Sequence, residues 1–212
     1  MNKSRLISAI SAVPLAFLTA FSTAAVLPLE GRLETSPGSG VFLAYYDPNL
    51  DVTWAADAYI RGADEAWDNQ TAWVANLTIG GLGGWRLPSA NVNNDSTVVD
   101  CYGGGVSGCV DNEMGFLYWE EGISFTAPGP FSNIQESHSY WTSTIAPIAV
   151  DRYDFSFDLG TQSDVGWVAY NAAWPVRSGD VPAVVPLPAA ALLFGSGLLG
   201  LIGIARRKFE SI

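Results

Sequence analysis

The sequence predicts an exported α+β domain made mostly of short antiparallel strands with two helices, followed by one C-terminal transmembrane helix. Three observations predict this architecture: an apolar segment at each end of the chain, more strand patterns than helical patterns between them, and 49% hydrophobic against 15% charged residues among 212. The 12% aromatic content excludes an intrinsically disordered chain, and the low charge excludes a coiled coil. The net charge of −11 argues against a protein that binds nucleic acid.

The first 25 residues are typical of a secretory signal peptide. Lys3 and Arg5 give a positive start, and an uncharged apolar run covers residues 6–21 before a short series of small residues. A buried first helix is the alternative, but Pro14 within the run and the basic start argue against it. We therefore predict that signal peptidase removes residues 1–25 during export.

A second apolar segment, residues 181–205, contains no charged residue. Three prolines fall in residues 181–188 and are costly inside a helix, so this part is predicted to be a linker and the helix to occupy residues 189–205. At about 1.5 Å per residue, that helix approaches the roughly 30 Å hydrocarbon core of a bilayer. The basic residues 206–212 favour a cytoplasmic tail, which leaves the central domain outside the cytoplasm.

This tail resembles the PEP-CTERM sorting signal of Gram-negative bacteria. A proline pair precedes a helix rich in small residues, and a basic stop follows it; Leu187 stands where the namesake has Glu, as in the Val-Pro-Leu-Pro variant. The resemblance implies processing by an exosortase and delivery to the cell surface or extracellular matrix, alongside exopolysaccharide. An ordinary single-span anchor is the alternative. The residues that carry the resemblance are Pro186, Leu187, Pro188, Arg206, Arg207 and Lys208.

The part between the two ends is one acidic domain. Residues 26–41 are predicted to lead into a folded region at residues 42–180. Together they hold twenty carboxylate residues, five arginines and no lysine, a net charge of −15, and all eight tryptophans. No fixed-period repeat is present, so a solenoid is not expected.

Short strands dominate the pattern of this domain. Tyr153, Phe155 and Phe157 alternate with polar residues at the period of a half-buried strand. Gly80-Gly81 is expected to end the first helix, and Asp111 to cap the second. Strands are predicted at residues 41–46, 51–54, 139–145, 153–157, 166–170 and 173–177, and helices at residues 63–77 and 111–121.

Several motifs in residues 42–180 resemble the Lcl C-terminal domain family. They include Gly83-Gly84-Trp85-Arg86-Leu87-Pro88, Ser139-Tyr140-Trp141-Thr142-Ser143 and Ala173-Trp174-Pro175-Val176-Arg177. The resemblance implies a fold related to C-type-lectin-like and formylglycine-generating-enzyme domains, with two helices on a twisted antiparallel β core. A structural role is the simpler interpretation: the tryptophans and Leu87 form core, and Arg86 pairs with a buried carboxylate. The family motif residues are Trp85, Arg86, Leu87, Pro88, Trp141, Trp174 and Arg177.

Catalytic chemistry has few candidates, and we predict that the protein is not an enzyme. The single histidine, His138, is expected to be exposed or hydrogen-bonded, and no Ser-His-Asp set can be assembled. Cys101 and Cys109 enclose a glycine-rich loop, and an even pair in an oxidising compartment predicts a disulfide. Such a bond would remove the reactive cysteines that a formylglycine-generating type of enzyme uses.

No cofactor is predicted, although an oxygen-rich loop leaves calcium open. The loop does not match an EF-hand, and asparagine-rich turns are common without a metal. The residues concerned are Asn91, Asn93, Asn94 and Asp95, with Asp100 and Asp111 further along the chain.

Binding of carbohydrate is the leading function predicted from composition. Exposed indole and phenol rings stack on sugar faces, and carboxylate and amide groups bond to hydroxyls. Lcl-type adhesion to sulfated glycans is contradicted by the charge of −15, so a neutral exopolysaccharide in the biofilm matrix is expected instead. A purely structural surface protein is the alternative, and an exported enzyme of the formylglycine-generating type is the third possibility.

Overall fold

The computed structural model describes residues 25–93, 98, 109–148, 150–181 and 183. These residues form an α+β domain with seven strands in two antiparallel sheets and two short α-helices. Within these ranges, none of the helices has the length and apolar character needed to cross a bilayer. The predicted signal peptide, transmembrane helix, basic tail and sorting motif lie outside the described residues.

Four of the seven strands lie in the regions predicted for them, and a fifth overlaps only the end of the strand predicted at residues 173–177. The strand at residues 30–34 lies where no strand is predicted, and the strand at residues 161–166 shares only residue 166 with a predicted one. The strands are β1 Glu30–Glu34, β2 Phe42–Asp47, β3 Val52–Ala55, β4 Ser139–Ile145, β5 Asp151–Ser156, β6 Thr161–Gly166 and β7 Val176–Ser178. The helices are α1 Trp67–Ala75 and α2 Glu113–Trp119, and a 3-10 turn spans Cys109–Asp111.

The first sheet has the strand order β1-β2-β3-β7. The hairpin between β2 and β3 joins the strands predicted at residues 41–46 and 51–54. The Asp47 carboxylate accepts the backbone amides of Asn49 and Leu50, which closes the turn locally. β1 lies in the region predicted to be only a lead-in. Its partner β2 fixes the register, with Arg32 opposite Ala44.

The second sheet has the strand order β4-β5-β6. β4 confirms its prediction, whereas the strand predicted at residues 166–170 is wrong. β6 ends at Gly166, and residues 167–170 form a turn in which the Ala169 amide bonds back to the Gly166 carbonyl. The predicted alternation along β5 also fails at Asp154, which is 3% exposed because Ser163 and Asn171 donate to its carboxylate.

Both helices are shorter than predicted. The chain before α1 stays extended because Glu65 exchanges two backbone hydrogen bonds with Asn171, a contact that the local sequence does not reveal. Asp111 does not cap α2. Asn112 does, since its side-chain oxygen accepts the amides of Met114 and Gly115.

Trp174 packs between the two sheets. Its ring centroid lies 5.4 Å from that of Trp54 in β3 and 5.0 Å from that of Phe157, which follows β5. The ring centroid of Phe131 lies 4.9 Å from that of Trp174. Trp54, Phe157 and Trp174 are fully buried, so one aromatic cluster holds the sheets together.

Candidate functional site

The Trp85–Pro88 motif around Arg86 has a structural role. Trp85 and Leu87 are each 2% exposed, as predicted. The Arg86 guanidinium makes two 2.8 Å hydrogen bonds to the carboxylate of Glu113, which also accepts the Ser89 amide at 2.6 Å. The pair ties this motif to the first turn of α2 and confirms that Arg86 binds a buried carboxylate.

The remaining motif residues also pack rather than form a site. Trp141 and Trp174 are fully buried, and their indole nitrogens donate to the backbone carbonyls of Glu65 and Ala55. Pro88 is buried as well. The Arg177 guanidinium donates to the Gly83 carbonyl at 3.0 Å.

The eight tryptophans are not gathered into one exposed cluster. Trp54, Trp85, Trp141 and Trp174 are buried, and three others are half-buried. Trp167 is 39% exposed, in the turn after β6. Most tryptophans therefore build the core, and one is available to a ligand.

Trp167 belongs to an exposed apolar surface at one end of the second sheet. Of the thirteen large apolar residues exposed in the described chain, six lie here, including its only exposed tryptophan and tyrosine. The backbone places them together: the Trp167 amide bonds to the Val150 carbonyl, and Ile145 pairs in register with Arg152. We call this the Trp167 surface, composed of Ile145, Ile148, Val150, Trp167, Val168 and Tyr170.

The half-buried Trp67 is hydrogen-bonded to the turn that carries Trp167. Its backbone amide donates to the Trp167 carbonyl at 3.0 Å, and its indole nitrogen donates to the Thr142 carbonyl at 2.8 Å. The Arg152 guanidinium lies 4.4 Å from its ring centroid, a cation–π geometry. The start of α1 therefore holds the 167–170 turn against β4 and β5.

Acidic residues are neighbours of the Trp167 surface along the chain or in strand register. Asp151 pairs in register with Gly166, Asp164 lies near the end of β6, and Asp68 follows Trp67. Behind them, Asp154 accepts hydrogen bonds from Ser163 and Asn171, and burial raises the pKa of its carboxyl. The surface thus combines apolar rings with nearby hydroxyl-accepting oxygens.

The Trp167 surface is not predicted from the sequence, because the pattern of residues 166–170 favours a strand. A usable signal was present: Trp167-Val168-Ala169-Tyr170 carries three large apolar residues without the period-two alternation of a half-buried strand. A turn that exposes several large apolar side chains is unusual on the surface of a folded domain and is typical of an interaction site.

His138 is partly exposed, and its Nδ1 lies next to an oxygen of the Asp64 carboxylate. The Tyr59 ring packs edge-on against the imidazole, with centroids 6.1 Å apart. Burial and the Asp64 carboxylate raise the pKa of the Tyr59 hydroxyl.

The calcium and disulfide predictions fall partly outside the described residues. The buried Asp111 accepts the Asn93 amide at 3.1 Å, next to Asn91. Cys109 is buried. In the described ranges, no three acidic, histidine or cysteine side chains converge as a metal cluster. The members outside the described residues are Asn94, Asp95, Asp100 and Cys101.

Comparison with models of known protein families finds no match for this chain, and comparison with curated proteins finds none either. The α+β architecture rests on the structure itself. The family resemblance and the sorting signal rest on the sequence motifs and remain proposals.

Proposed function

We propose that this chain is an exported, non-enzymatic surface protein of Lcl type that binds neutral polysaccharide in the extracellular matrix. The observation that carries the proposal is the Trp167 surface, with its exposed indole and phenol rings next to carboxylates. Contiguous exposed apolar surface bordered by polar groups marks interaction sites. An aromatic ring offers a flat apolar face to the C–H groups of a sugar.

The charge of the domain limits the ligand. Twenty carboxylates against five arginines repel a polysulfated or polyanionic glycan at long range. A neutral polysaccharide pays no such electrostatic penalty and still offers hydroxyl groups to Asp68, Asp151 and Asp164. We therefore expect the exopolysaccharide with which exosortase-sorted proteins are associated to be bound through its neutral segments.

The ends of the sequence support the proposed location. Signal peptidase would act after residue 25, and the apolar helix at residues 189–205 would hold the domain outside the cytoplasm until an exosortase acts. The two-sheet, two-helix architecture is compatible with the C-type-lectin-like and formylglycine-generating-enzyme-like fold that the Lcl resemblance implies.

Cosedimentation with the insoluble neutral exopolysaccharide of the producing organism tests the binding proposal. The full-length chain, kept in a mild detergent, is expected to sediment with it and not to bind heparin. Trp167→Ala and Tyr170→Ala should each weaken sedimentation about tenfold, as loss of a stacking ring costs about 1.4 kcal/mol. Leu159→Ala, which removes an exposed apolar side chain from the other end of β5 and β6, is the matched control. Equal binding by all four proteins would reject the Trp167 surface as the site.

A structural surface protein without a ligand is the second candidate. The burial of seven tryptophans, wholly or in part, favours it, because those rings serve packing. It predicts that no neutral polysaccharide is bound, while deletion of the gene weakens matrix cohesion. An enzyme of the formylglycine-generating type would instead require titratable thiols on Cys101 and Cys109.

A further inference from the structure

The residues that follow the proposed signal peptide are fastened to the β2–β3 turn. The backbone amide of Leu27 donates to the Asn49 side-chain oxygen at 2.9 Å, and the Asn49 side-chain nitrogen donates to the Leu27 carbonyl at 2.9 Å. The same nitrogen donates to Glu121 Oε1, also at 2.9 Å. Leu27 and the Glu121 carboxylate are therefore held by one side chain, and Val26 is only one residue, about 3.8 Å between Cα atoms, from that contact.

A cavity of about 510 Å³ is bounded by these first residues and by the end of α2. Its acidic groups are Glu120 and Glu121, and the rest of its lining is apolar. An apolar lining limits the water that screens a carboxylate, so a positive charge here is attracted more strongly than in bulk water. The apolar members are Val26, Leu27, Pro28, Leu29 and Pro130.

Among the described residues that line the cavity, none is basic. Burial raises the pKa of Glu121 to about 8, and the charge of Asp47 and a hydrogen bond between the two carboxyls contribute to the rise. The two carboxyls thus share a proton in the absence of a cation. Residues 26–180 contain no lysine, and their five arginines contact other groups: Arg32 binds Glu30 and Asp180, Arg61 Glu65, Arg86 Glu113, Arg152 the Trp67 ring, and Arg177 Gly83.

We propose that cleavage by signal peptidase supplies the cation: the new α-ammonium group of Val26 binds the Glu121 carboxylate in this cavity, with the exposed Glu120 as a second acceptor. Hydrolysis of the amide between Ala25 and Val26 consumes one water and leaves a carboxylate on Ala25 and an ammonium on Val26. The inference rests on the export part of the proposed function and not on polysaccharide binding.

The chain is prepared for this contact. An ammonium group has three N–H donors, which two carboxylates and a water can accept. Because Leu27 is already held by Asn49, ordering the one residue before it costs little conformational entropy. The positive charge favours the ionised form of Glu121. In a chain that retains residue 25, Glu121 and Asp47 keep their shared proton.

Thermal unfolding of two chains in mild detergent, both extending to Ile212, tests the pairing at pH 7. One chain begins at Val26, and the other begins at Ala24, which moves the ammonium about 7 Å along an extended backbone. The Val26 chain should have the higher Tm, by roughly 2–4 °C. The difference should be lost in Glu121→Gln and kept in Glu136→Gln, an exposed carboxylate outside the cavity wall. Equal Tm values for the two wild-type chains would overturn the proposal.

The charge of the terminus can be titrated directly, because residues 26–212 contain a single lysine, Lys208. Reductive methylation with isotope-labelled formaldehyde marks both amines for NMR and keeps their positive charge. The pKa of the Val26 amine should lie at least about one pH unit above the ordinary range of an α-amino group, and close to that range in Glu121→Gln. The added stability should be complete below the ordinary pKa and be lost as pH rises through the raised one. An ordinary pKa in the wild type, or a raised one retained in Glu121→Gln, would overturn the proposal.

N-terminal sequencing of the mature protein from its own cells separates this inference from the proposed export. A mature chain that begins at Val26 and shows neither effect would overturn the ammonium site and leave export standing. A mature chain that begins at a different residue after cleavage would do the same. A chain that retains residues 1–25 would reject export and the site together.

Discussion

At the scale of single residues, Arg86 shows how a charged side chain within the Trp85–Pro88 motif stabilises the fold. Its guanidinium is anchored on Glu113, which is 5% exposed and lies in the first turn of α2. It also reaches the Ser178 hydroxyl at 3.3 Å, at the end of β7. One charged side chain therefore connects a loop, a helix and the first sheet.

Replacing Glu113 by Gln should lower the free energy of unfolding by about 2 kcal/mol. The glutamine side chain has one accepting oxygen, where the carboxylate has two for Arg86 and the backbone N–H of Ser89. It also leaves the Arg86 charge without its counter-ion. Urea denaturation measures the loss. Glu120→Gln, an exposed residue at the opposite end of α2, should stay within about 0.5 kcal/mol of the wild type. A similar value for both variants would contradict the structural role of the pair.

Glu121 should make stability depend on pH. Its carboxyl has a pKa of about 8 when folded, against an ordinary value of 4.5, so the folded chain holds a proton that the unfolded chain releases. The free energy of unfolding of the full-length chain should fall as pH rises from 4.5 to 8 and then level off. Asp47 is the charge that faces Glu121, and it contributes to the raised pKa after burial.

Chemical denaturation across this pH range measures the effect in the wild type and in Glu121→Gln. The variant should show a shallower profile, retaining only the contribution of groups such as Asp154, whose pKa is also raised by burial. Superimposable profiles of the two proteins would contradict the raised pKa of Glu121, because they would mean that its carboxyl is already ionised at neutral pH in the folded chain.

At the scale of secondary-structure elements, predictions succeeded where the determining contacts are local. The β2–β3 hairpin follows from the Asp47 carboxylate and its two amide donors, all within four residues. β1 is not predicted from the sequence because Glu30-Gly31-Arg32-Leu33-Glu34 has no strand pattern. Pairing with β2 and the ion pair of Arg32 with Asp180 stabilise this strand. Contacts across 148 positions of the chain leave no signal in a single sequence.

The aromatic cluster between the sheets should dominate stability. Trp174→Ala removes a fully buried ring that contacts both sheets, at a cost of about 3–5 kcal/mol. Trp167→Ala removes an exposed ring and should change the free energy of unfolding by less than about 1 kcal/mol. Guanidinium denaturation followed by far-UV circular dichroism compares the two. Comparable losses would mean that the 167–170 turn is part of the core.

The candidate site was harder to predict than the core for a physical reason. Buried aromatics follow from composition and periodicity, and the predicted burial of Trp85, Trp141 and Trp174 is confirmed. Which tryptophan remains exposed depends on where β6 ends and on the hydrogen bond from Trp67 to Trp167, a contact between distant parts of the chain. The acidic composition indicated the class of ligand but not the surface.

At the scale of the whole molecule, the sequence motifs at the two ends determine where the proposed function can operate. The order of proline pair, small-residue helix and basic stop predicts an exosortase substrate. Mass spectrometry of the mature protein from cells with and without the exosortase should show loss of the C-terminal segment only when the enzyme is present. A mass independent of the enzyme would leave an ordinary membrane anchor.

The most direct test of the polysaccharide proposal is the rate at which each tryptophan is oxidised in the free and the polysaccharide-bound chain. N-bromosuccinimide attacks exposed indoles, and peptide mass spectrometry resolves the eight positions. Neutral exopolysaccharide should slow oxidation of Trp167 severalfold and leave the half-buried Trp73, which packs against Arg61, unchanged. Oxidation of Trp167 at its free rate, in a chain shown to be bound, would contradict the assignment of this surface.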